Sequence, residues 1–183
     1  SSLKTIGIND ITLSLGHGGL INIIIDHYKK LLPGEEDSIR KALSTKSTKD
    51  IKEIVENKLD KDDMKMLLVI TELFGGKEIL AKAKLDLVKL GDKALAYLDD
   101  MENIVSRLDL DDVQIHIDLG EIQGFKYHTG LTFSAFIDDA GYPLSKGGRY
   151  DGISEMSDPR PAVGFDLDIV AVSKFTKYDL NES

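Results

Sequence analysis

The sequence predicts an α+β fold in which a long helical block is set between β-strands. Alternating apolar residues predict a first strand at residues 11–15 and two later strands at residues 113–119 and 131–137. Residues 37–107 instead carry apolar residues at spacings of three and four, which is typical of helices that bury one face. Because strands and helices fall in separate runs, this architecture is favoured over a doubly wound parallel sheet.

Capping and breaking residues set the expected bounds of the elements. The first strand is expected to break at residues 16–19 and a helix to follow until Pro33 and Gly34 stop it. The helical block is expected to contain helices at residues 50–59, after the cap Asp60 as far as Gly75, at 77–89 and at 92–108.

The strands after the helical block are joined by glycine-containing segments. Between residues 113–119 and 131–137 lies a turn with Gly124 and Gly130, so antiparallel pairing of these two strands is the simplest expectation. A last strand is expected at residues 162–167, followed by a short helix.

The composition excludes several classes of protein. The 183 residues include no cysteine, which excludes disulfides, Cys-ligated zinc, iron–sulfur clusters and a thiol nucleophile. The 23 basic and 32 acidic residues give a net charge of −9, which disfavours a surface that follows nucleic-acid phosphates. No apolar stretch approaches the roughly 20 residues of a membrane-spanning helix, and the N-terminus has no signal-peptide core. We therefore expect a cytoplasmic protein that binds neither nucleic acid nor a membrane.

No recognisable metal or catalytic motif occurs in the sequence. The histidines, His17, His27, His116 and His128, are scattered and form no HExxH pair. His116 and Asp118 share one face of a predicted strand, which would suit a metal or an acid–base pair, but a solvent-facing polar row is the favoured interpretation. Neither a GxSxG elbow nor a glycine-rich phosphate loop is present. We therefore predict no metal site, no catalytic residue and no cofactor.

Two short clusters combine glycines with aromatic and charged residues. Residues 123–130 (QGFKYHTG) offer a Tyr-His-Thr trio with a stacking face and hydrogen-bonding groups. Residues 146–152 (KGGRYDG) set paired glycines beside arginine, tyrosine and aspartate, so that a small polar ligand can approach the backbone. Each cluster is also compatible with a turn whose geometry is needed only for folding.

Together with residues 160–165 (RPAVGF), the two clusters resemble the histidine-specific signatures and the third class motif of histidyl-tRNA synthetase. Residues 10–19 are similar to the strand after that family's second motif, and the helical block to the insertion that follows. The resemblance covers most of residues 5–175 and implies a class II aminoacyl-tRNA synthetase-like antiparallel sheet with a helical insertion at about 37–107. Because the match starts inside the family's domain, residues 1–183 are expected to form one partial domain, a C-terminal fragment or a truncated member. Such a piece would expose a sheet edge and core surface.

The resemblance also implies a histidine-binding pocket made by both clusters. Its residues are Gln123, Gly124, Tyr127, His128, Thr129, Gly130, Gly147, Gly148, Arg149 and Tyr150. Matching the synthetase, Tyr150 and His128 face the imidazole end of the ligand, although His128 stands where the synthetase has tyrosine.

Two positions depart from the synthetase where it activates histidine. Gln123 replaces an arginine that assists the activation of histidine, and Ala171 replaces an arginine that binds ATP. Neither side chain supplies the fixed charge and planar fork of an arginine. The departures favour a paralogous family, the ATP phosphoribosyltransferase regulatory subunits, which is similar over residues 119–130.

That paralogous family implies a non-catalytic, cytoplasmic subunit of histidine biosynthesis. It would self-associate, assemble with the short-form catalytic subunit of ATP phosphoribosyltransferase, activate it and mediate feedback by histidine. A fragment of a histidyl-tRNA synthetase catalytic domain is the alternative, and a synthetase-like domain that acts only in protein interaction is a third interpretation.

Overall fold

The computed structural model describes residues 5, 7–108, 113–121, 129–138, 140–150 and 161–176. Its strands are β1 (Ile11–His17), β2 (Phe74–Gly75), β3 (Val113–Asp118), β4 (Leu131–Ile137), β5 (Ser145–Tyr150) and β6 (Ala162–Leu167). Its helices are α1 (Gly18–Leu31), α2 (Glu36–Ser44), α3 (Thr48–Val55), α4 (Lys61–Ile70), α5 (Glu78–Asp86), α6 (Asp92–Arg107) and α7 (Ile169–Phe175), with a 3₁₀ turn at Val88–Leu90.

The described strands form one sheet in the order β2-β3-β1-β4-β5-β6. Strands β1 and β3 run parallel, and the other neighbouring pairs are antiparallel. The expected pairing of β3 with β4 is wrong, because β1 lies between them. The connection between those two strands runs over residues 119–130, which is longer than the two to five residues of a hairpin loop. A connection of that length does not require the two strands to be neighbours.

The first strand is longer than the sequence predicted. It continues through Gly16 to His17 because these residues pair with Thr132 and Leu131 of β4. His17 then caps helix α1, since its Nδ1 accepts a hydrogen bond from the Leu20 N–H at 3.2 Å. The glycines after the strand therefore begin the helix instead of forming a separate break.

The predicted helical block is present, with differences at the helix ends. Asp60 caps α4 as expected and accepts hydrogen bonds from the N–H groups of Asp62 and Asp63. Helix α4 ends at Ile70 instead of continuing to Gly75, because the chain turns there to form the short strand β2 beside β3. The last predicted strand and its short helix correspond to β6 and α7.

The sheet has one apolar face, and the helices pack on it. Leu15 and Ile117 of the sheet join Leu20, Ile24 and Tyr28 of α1 in a large buried cluster that extends into the other helices. A smaller cluster at the other end joins sheet residues to α7; its buried members are Ile8, Ile11, Ala135, Ile137, Ala140, Leu144, Ala171 and Val172. Each large apolar side chain buried in this way stabilises the fold by about 1.5–3 kcal/mol.

The apolar face continues onto the edge strand β6, where it is open. Val163, Phe165 and Leu167 alternate along β6 and are 75%, 71% and 38% exposed, and Ile169 and Val170 at the start of α7 are as open as Val163 and Phe165. Among the described strands, none pairs with the outer edge of β6. Residues of this kind form the exposed sheet edge that a partial domain is expected to have.

A buried polar cluster joins α1, α4 and the 3₁₀ turn. The Asp63 carboxylate lies 2.7 Å from Lys89 Nζ and 3.1 Å from His27 Nε2, and its side chain is 8% exposed. The Tyr28 hydroxyl donates to the Asp63 carbonyl at 2.8 Å. Burial acts to raise the pKa of the Asp63 carboxyl, but hydrogen bonds from Lys89 and His27 outweigh it and hold the pKa below its ordinary value.

Gly147 occupies a crowded position on the apolar face. A Cβ atom there would lie 2.5 Å from the Gly164 carbonyl oxygen, 2.6 Å from Phe165 Cβ and 2.7 Å from Phe133 Cε1. These distances are too short for a side chain. Glycine at 147 therefore lets β5 pack between two aromatic residues of its neighbouring strands.

Replacing Asp63 with asparagine is expected to lower the free energy of unfolding by about 1–3 kcal/mol near neutral pH, because two donors lose a charged acceptor. Since the folded-state pKa is depressed, the carboxylate's contribution is present above the ordinary pKa of about 3.9 and disappears as pH falls through the lower folded value. Urea unfolding at decreasing pH should show the difference shrink in acid. Asp62→Asn, an exposed residue in the same turn, is the control; an equal loss there would contradict the assignment.

Gly147→Ala is expected to lower the free energy of unfolding by about 1–3 kcal/mol, since the added methyl forces β5, β6 or Phe133 to move. Gly120→Ala is the matched control, because its Cβ would meet no atom closer than 3.4 Å. Urea denaturation followed by circular dichroism compares the two variants. Equal stability of both would show that the sheet accommodates the methyl group.

Candidate functional site

The second face of the sheet carries a row of polar side chains. The strand register places His116, Ser14, Ser134, Lys146 and Asp166 side by side across five strands, from β3 to β6. Ser14 and Ser134 are buried, whereas Lys146 and Asp166 near the edge are exposed. This face therefore differs from the first in having hydrogen-bonding groups at its centre.

Beside the polar row runs a row made mostly of glycine. Gly16, Thr132, Gly148 and Gly164 stand opposite one another on β1, β4, β5 and β6. Thr132 is therefore the only side chain that this row, which we call the trough, adds to the face, and Gly16, Thr132 and Gly148 are buried. Tyr150 covers its β6 end, since a Cβ at Gly164 would lie 3.2 Å from the Tyr150 hydroxyl. A trough of this kind lets a small ligand approach the backbone.

Glu121 lies next to the trough, just beyond the end of β3. Its Oε2 accepts a hydrogen bond from the Ser14 hydroxyl at 3.2 Å, and its Oε1 accepts one from the Ser134 hydroxyl at 3.1 Å. The two serines are register partners on neighbouring strands. They fix a half-buried carboxylate over the polar row.

Sequence reasoning missed this carboxylate and its two serines. Each serine stands at a polar position of a predicted alternating strand, and Glu121 precedes the first cluster by two residues. That signal was insufficient because only the pairing of β1 with β4 brings the three side chains together.

Thr129 and Gly130 lie where the chain enters β4, against the start of α1. The Gly130 carbonyl accepts a hydrogen bond from the Gly18 N–H at 3.0 Å, and the Gly130 N–H donates to the Arg149 carbonyl at 3.1 Å. A Cβ at Gly19 would lie 2.5 Å from the Thr129 carbonyl oxygen. This part of the first cluster is therefore tied closely to the helix.

The structure separates some predicted site residues that are adjacent in the sequence. Gly148 and Tyr150 lie on the face of the trough. Because side chains alternate along β5, Gly147 and Arg149 lie on the opposite face, and a Cβ at Gly130 would lie 3.0 Å from Arg149 Cβ. The remaining predicted residues, Gln123, Gly124, Tyr127 and His128, lie outside the described residues.

His116 and Asp118 do not form an isolated pair. Asp118 forms a salt bridge with Lys46 and accepts the Gly120 N–H at 3.0 Å, while the His116 ring centroid lies 6.3 Å from that of Phe74. Both are half-buried, so the expectation of a solvent-facing row is wrong in this respect: Lys46 and β2 cover this end of the polar face.

Ala171 packs in the smaller apolar cluster, away from the trough. It is 2% exposed, and its N–H donates to the Asp168 carboxylate at 2.8 Å, which caps α7. Its methyl group thus contacts core residues.

Within the residues that the structure describes, no group of three or more histidine, aspartate or glutamate side chains is arranged to hold a metal ion. The same residues contain no helix of the length and apolar character needed to cross a membrane.

Known proteins resemble this chain in sequence. The family model described as histidyl-tRNA synthetase matches residues 1–172. The ATP phosphoribosyltransferase regulatory subunit of Pseudomonas entomophila is 34% identical over 172 residues, which cover 92% of this chain and 43% of that protein. The protein of the same name from Geobacter metallireducens is 34% identical over 175 residues, covering 93% and 39%. The chain thus spans less than half the length of these relatives.

Solved structures resemble the fold. An ATP phosphoribosyltransferase regulatory subunit/histidyl-tRNA synthetase from Bacillus halodurans C matches with a TM-score of 0.77 and 25% identity, covering 95% of this chain and 46% of that one. Histidyl-tRNA synthetase from Nostoc sp. PCC 7120, at 15% identity, matches with a TM-score of 0.74 over 94% and 43% and shows the fold alone. The predicted class II synthetase-like α+β fold is confirmed. The chain belongs to the histidyl-tRNA synthetase family, and curated relatives at 31–34% identity carry the name ATP phosphoribosyltransferase regulatory subunit.

Proposed function

We propose that this chain is part of a regulatory subunit of ATP phosphoribosyltransferase, which binds the short catalytic subunit, activates it and conveys feedback by histidine. The observation that carries the proposal is the 34% identity over 172 residues to a protein with that name. The proposal treats residues 1–183 as one partial domain, with the helical insertion at about 37–107, in a cytoplasmic hetero-oligomer.

A non-catalytic role is supported by the surroundings of Ala171. By its resemblance to the synthetase, this position corresponds to the arginine with which the synthetase binds ATP. An alanine buried among apolar residues offers no charge to a phosphate. Gln123, which stands where the synthetase has its other arginine, also supports a non-catalytic role, on the evidence of the sequence alone.

The trough is the proposed place for histidine. Gly148 adds no side chain to this face, Thr132 offers a hydroxyl, and Tyr150 offers both a ring face and a hydroxyl for the imidazole. Thr129 and Gly130 border this region, and Gln123, Gly124, Tyr127 and His128 complete the proposed pocket. Gly147 and Arg149 would support it from the opposite face of β5.

Self-association is part of the proposal. The open edge of β6 carries Val163 and Phe165 with most of their surface exposed. An exposed apolar edge strand favours pairing with another strand, and an antiparallel pairing of two β6 strands would continue the sheet.

A histidyl-tRNA synthetase fragment is the second candidate, since the matching family model carries that description. It differs from the first in requiring activation of histidine by ATP. Histidine-dependent exchange of pyrophosphate into ATP therefore separates the two candidates.

The first test mixes the protein with a short-form catalytic subunit and measures phosphoribosyl transfer to ATP. We expect the mixture to sediment as a complex and to react at least about tenfold faster than the catalytic subunit alone, and we expect histidine to reduce the gain. Sedimentation of the chain alone should give a mass above its monomer value of 20.2 kDa. Absence of a complex would support a role in other protein interactions, and robust pyrophosphate exchange would support the synthetase.

The second test measures histidine binding by calorimetry before and after Tyr150→Ala. We expect affinity to fall by about tenfold, equivalent to about 1.4 kcal/mol, because the imidazole loses its aromatic contact. Arg149→Ala should have a smaller effect, since Arg149 lies on the other face. Tyr142→Ala is the control, because Tyr142 is an exposed tyrosine in the segment before β5. Unchanged affinity in the Tyr150 and Arg149 variants would remove both residues from the site.

A further inference from the structure

We propose that Thr132 determines the specificity of the proposed histidine site, and that its hydroxyl forms a hydrogen bond with the amino-acid end of the ligand. In the ligand-free protein, the same hydroxyl would contribute nothing to stability. The inference rests on the proposed function and deepens it, because it names the group in the trough that a ligand must match.

Thr132 is a buried residue whose hydroxyl has no hydrogen-bond partner among the described residues. Its exposed fraction is 3%. Within the same part of the chain, the other buried residues that carry a hydroxyl each form a hydrogen bond through it; they are Ser14, Tyr28, Thr71, Ser134 and Ser145. Burying a hydroxyl without a partner costs free energy, so folded proteins pair nearly all such groups. The Thr132 hydroxyl therefore calls for a partner from outside the described residues.

The hydroxyl of Thr132 lies on the face of the trough and is directed towards Gly16. Thr132 stands opposite Gly16 on β1 and Gly148 on β5, and a Cβ at Gly16 would lie 3.0 Å from Thr132 Oγ1. A side chain at residue 16 would thus cover the hydroxyl. Among the described side chains, Asp86 Oδ2 is the one fully enclosed polar atom that lacks a hydrogen bond. Because Thr132 Oγ1 also lacks one but is not fully enclosed, it is not sealed off from a ligand atom.

The position of Thr132 relative to Tyr150 indicates which end of the ligand it meets. Thr132 and Gly164 are two strands apart, about 9–10 Å, and the Tyr150 hydroxyl would lie 3.2 Å from a Cβ at Gly164. A histidine whose imidazole contacts Tyr150 would lie across Gly148 and direct its ammonium and carboxylate groups towards Thr132. A hydroxyl can donate to a carboxylate or accept from an ammonium group. A ligand with neither group would leave it unpaired, and a site of this kind rejects such a ligand.

The test measures histidine binding by calorimetry and stability by urea unfolding for Thr132→Val and Thr132→Ser. Valine keeps the β-branched shape but removes the hydroxyl, so we expect histidine affinity to fall by about tenfold. Serine keeps the hydroxyl, so Thr132→Ser should bind histidine more nearly as the wild-type protein does. Without histidine, the urea midpoint of Thr132→Val should equal or exceed that of the wild type, because the folded protein loses no hydrogen bond.

Thr71→Val is the matched control. Thr71 is also 3% exposed, but its hydroxyl donates to the Leu68 carbonyl at 2.7 Å. This variant should unfold at a lower urea midpoint than the wild type and bind histidine with unchanged affinity.

Three outcomes would overturn the assignment of Thr132 while leaving histidine binding intact. The first is unchanged histidine affinity in Thr132→Val, and the second is an equal loss of affinity in the valine and serine variants. The third is a fall in the urea midpoint of Thr132→Val as large as that of Thr71→Val, which would give the hydroxyl a structural role. If the wild-type protein binds no histidine, the proposed histidine site fails, and the assignment of Thr132 fails with it.

Discussion

Strand β1 is paired along both of its edges, and the rest of the molecule is arranged around that constraint. Its register with β4 sets Ser14 opposite Ser134 and Gly16 opposite Thr132. A slip of one residue would turn the serines into the helical core and the leucines of β1 onto the polar face. The buried Leu15 makes such a slip unfavourable, because its apolar surface would return to water. Burial of apolar side chains on one face thus fixes the strand register, and the register sets the positions of the polar side chains on the opposite face.

The two faces of the sheet differ in chemical character. Helices cover one face with apolar side chains, while the other, where ligand recognition is proposed, carries hydroxyls, a carboxylate and a row of glycines. The helical core and the entry to β4 meet at the start of α1. There His17 caps the helix, and Gly19 packs so closely against the Thr129 carbonyl that a side chain has no room. Any ligand that displaced residues 129–130 would therefore act directly on the first turn of α1.

Local patterns in the sequence were sufficient to predict most of the elements but not the way in which they meet. The period-two strands, the Asp60 cap and the helical spacings depend on neighbouring residues, and the structure has each of them. The position of β1 between β3 and β4 depends on contacts more than one hundred residues apart in sequence, which no local pattern contains. Glu121 illustrates the consequence for the site, since its contacts with Ser14 and Ser134 exist only after those strands pair. Arg149 and Tyr150 illustrate the opposite case: once residues 145–150 are known to form a strand, alternation alone separates their side chains.

Recognition of an amino acid and its activation by ATP require different chemical groups. The proposed site has groups suited to recognition but lacks one that activation requires. Activation requires positive charge held where the phosphates bind, because charge develops there during the reaction. Ala171 sits in an apolar cluster and supplies none. Recognition requires only groups that match the ligand's ends, and feedback requires that two quaternary states bind it with affinities that differ by about 1–3 kcal/mol. Under the proposal, the hydroxyl of Thr132 and the ring of Tyr150 would meet the recognition requirement. Because these groups come from neighbouring strands of one sheet, a shift between strands in a quaternary change would alter both ends of the site together.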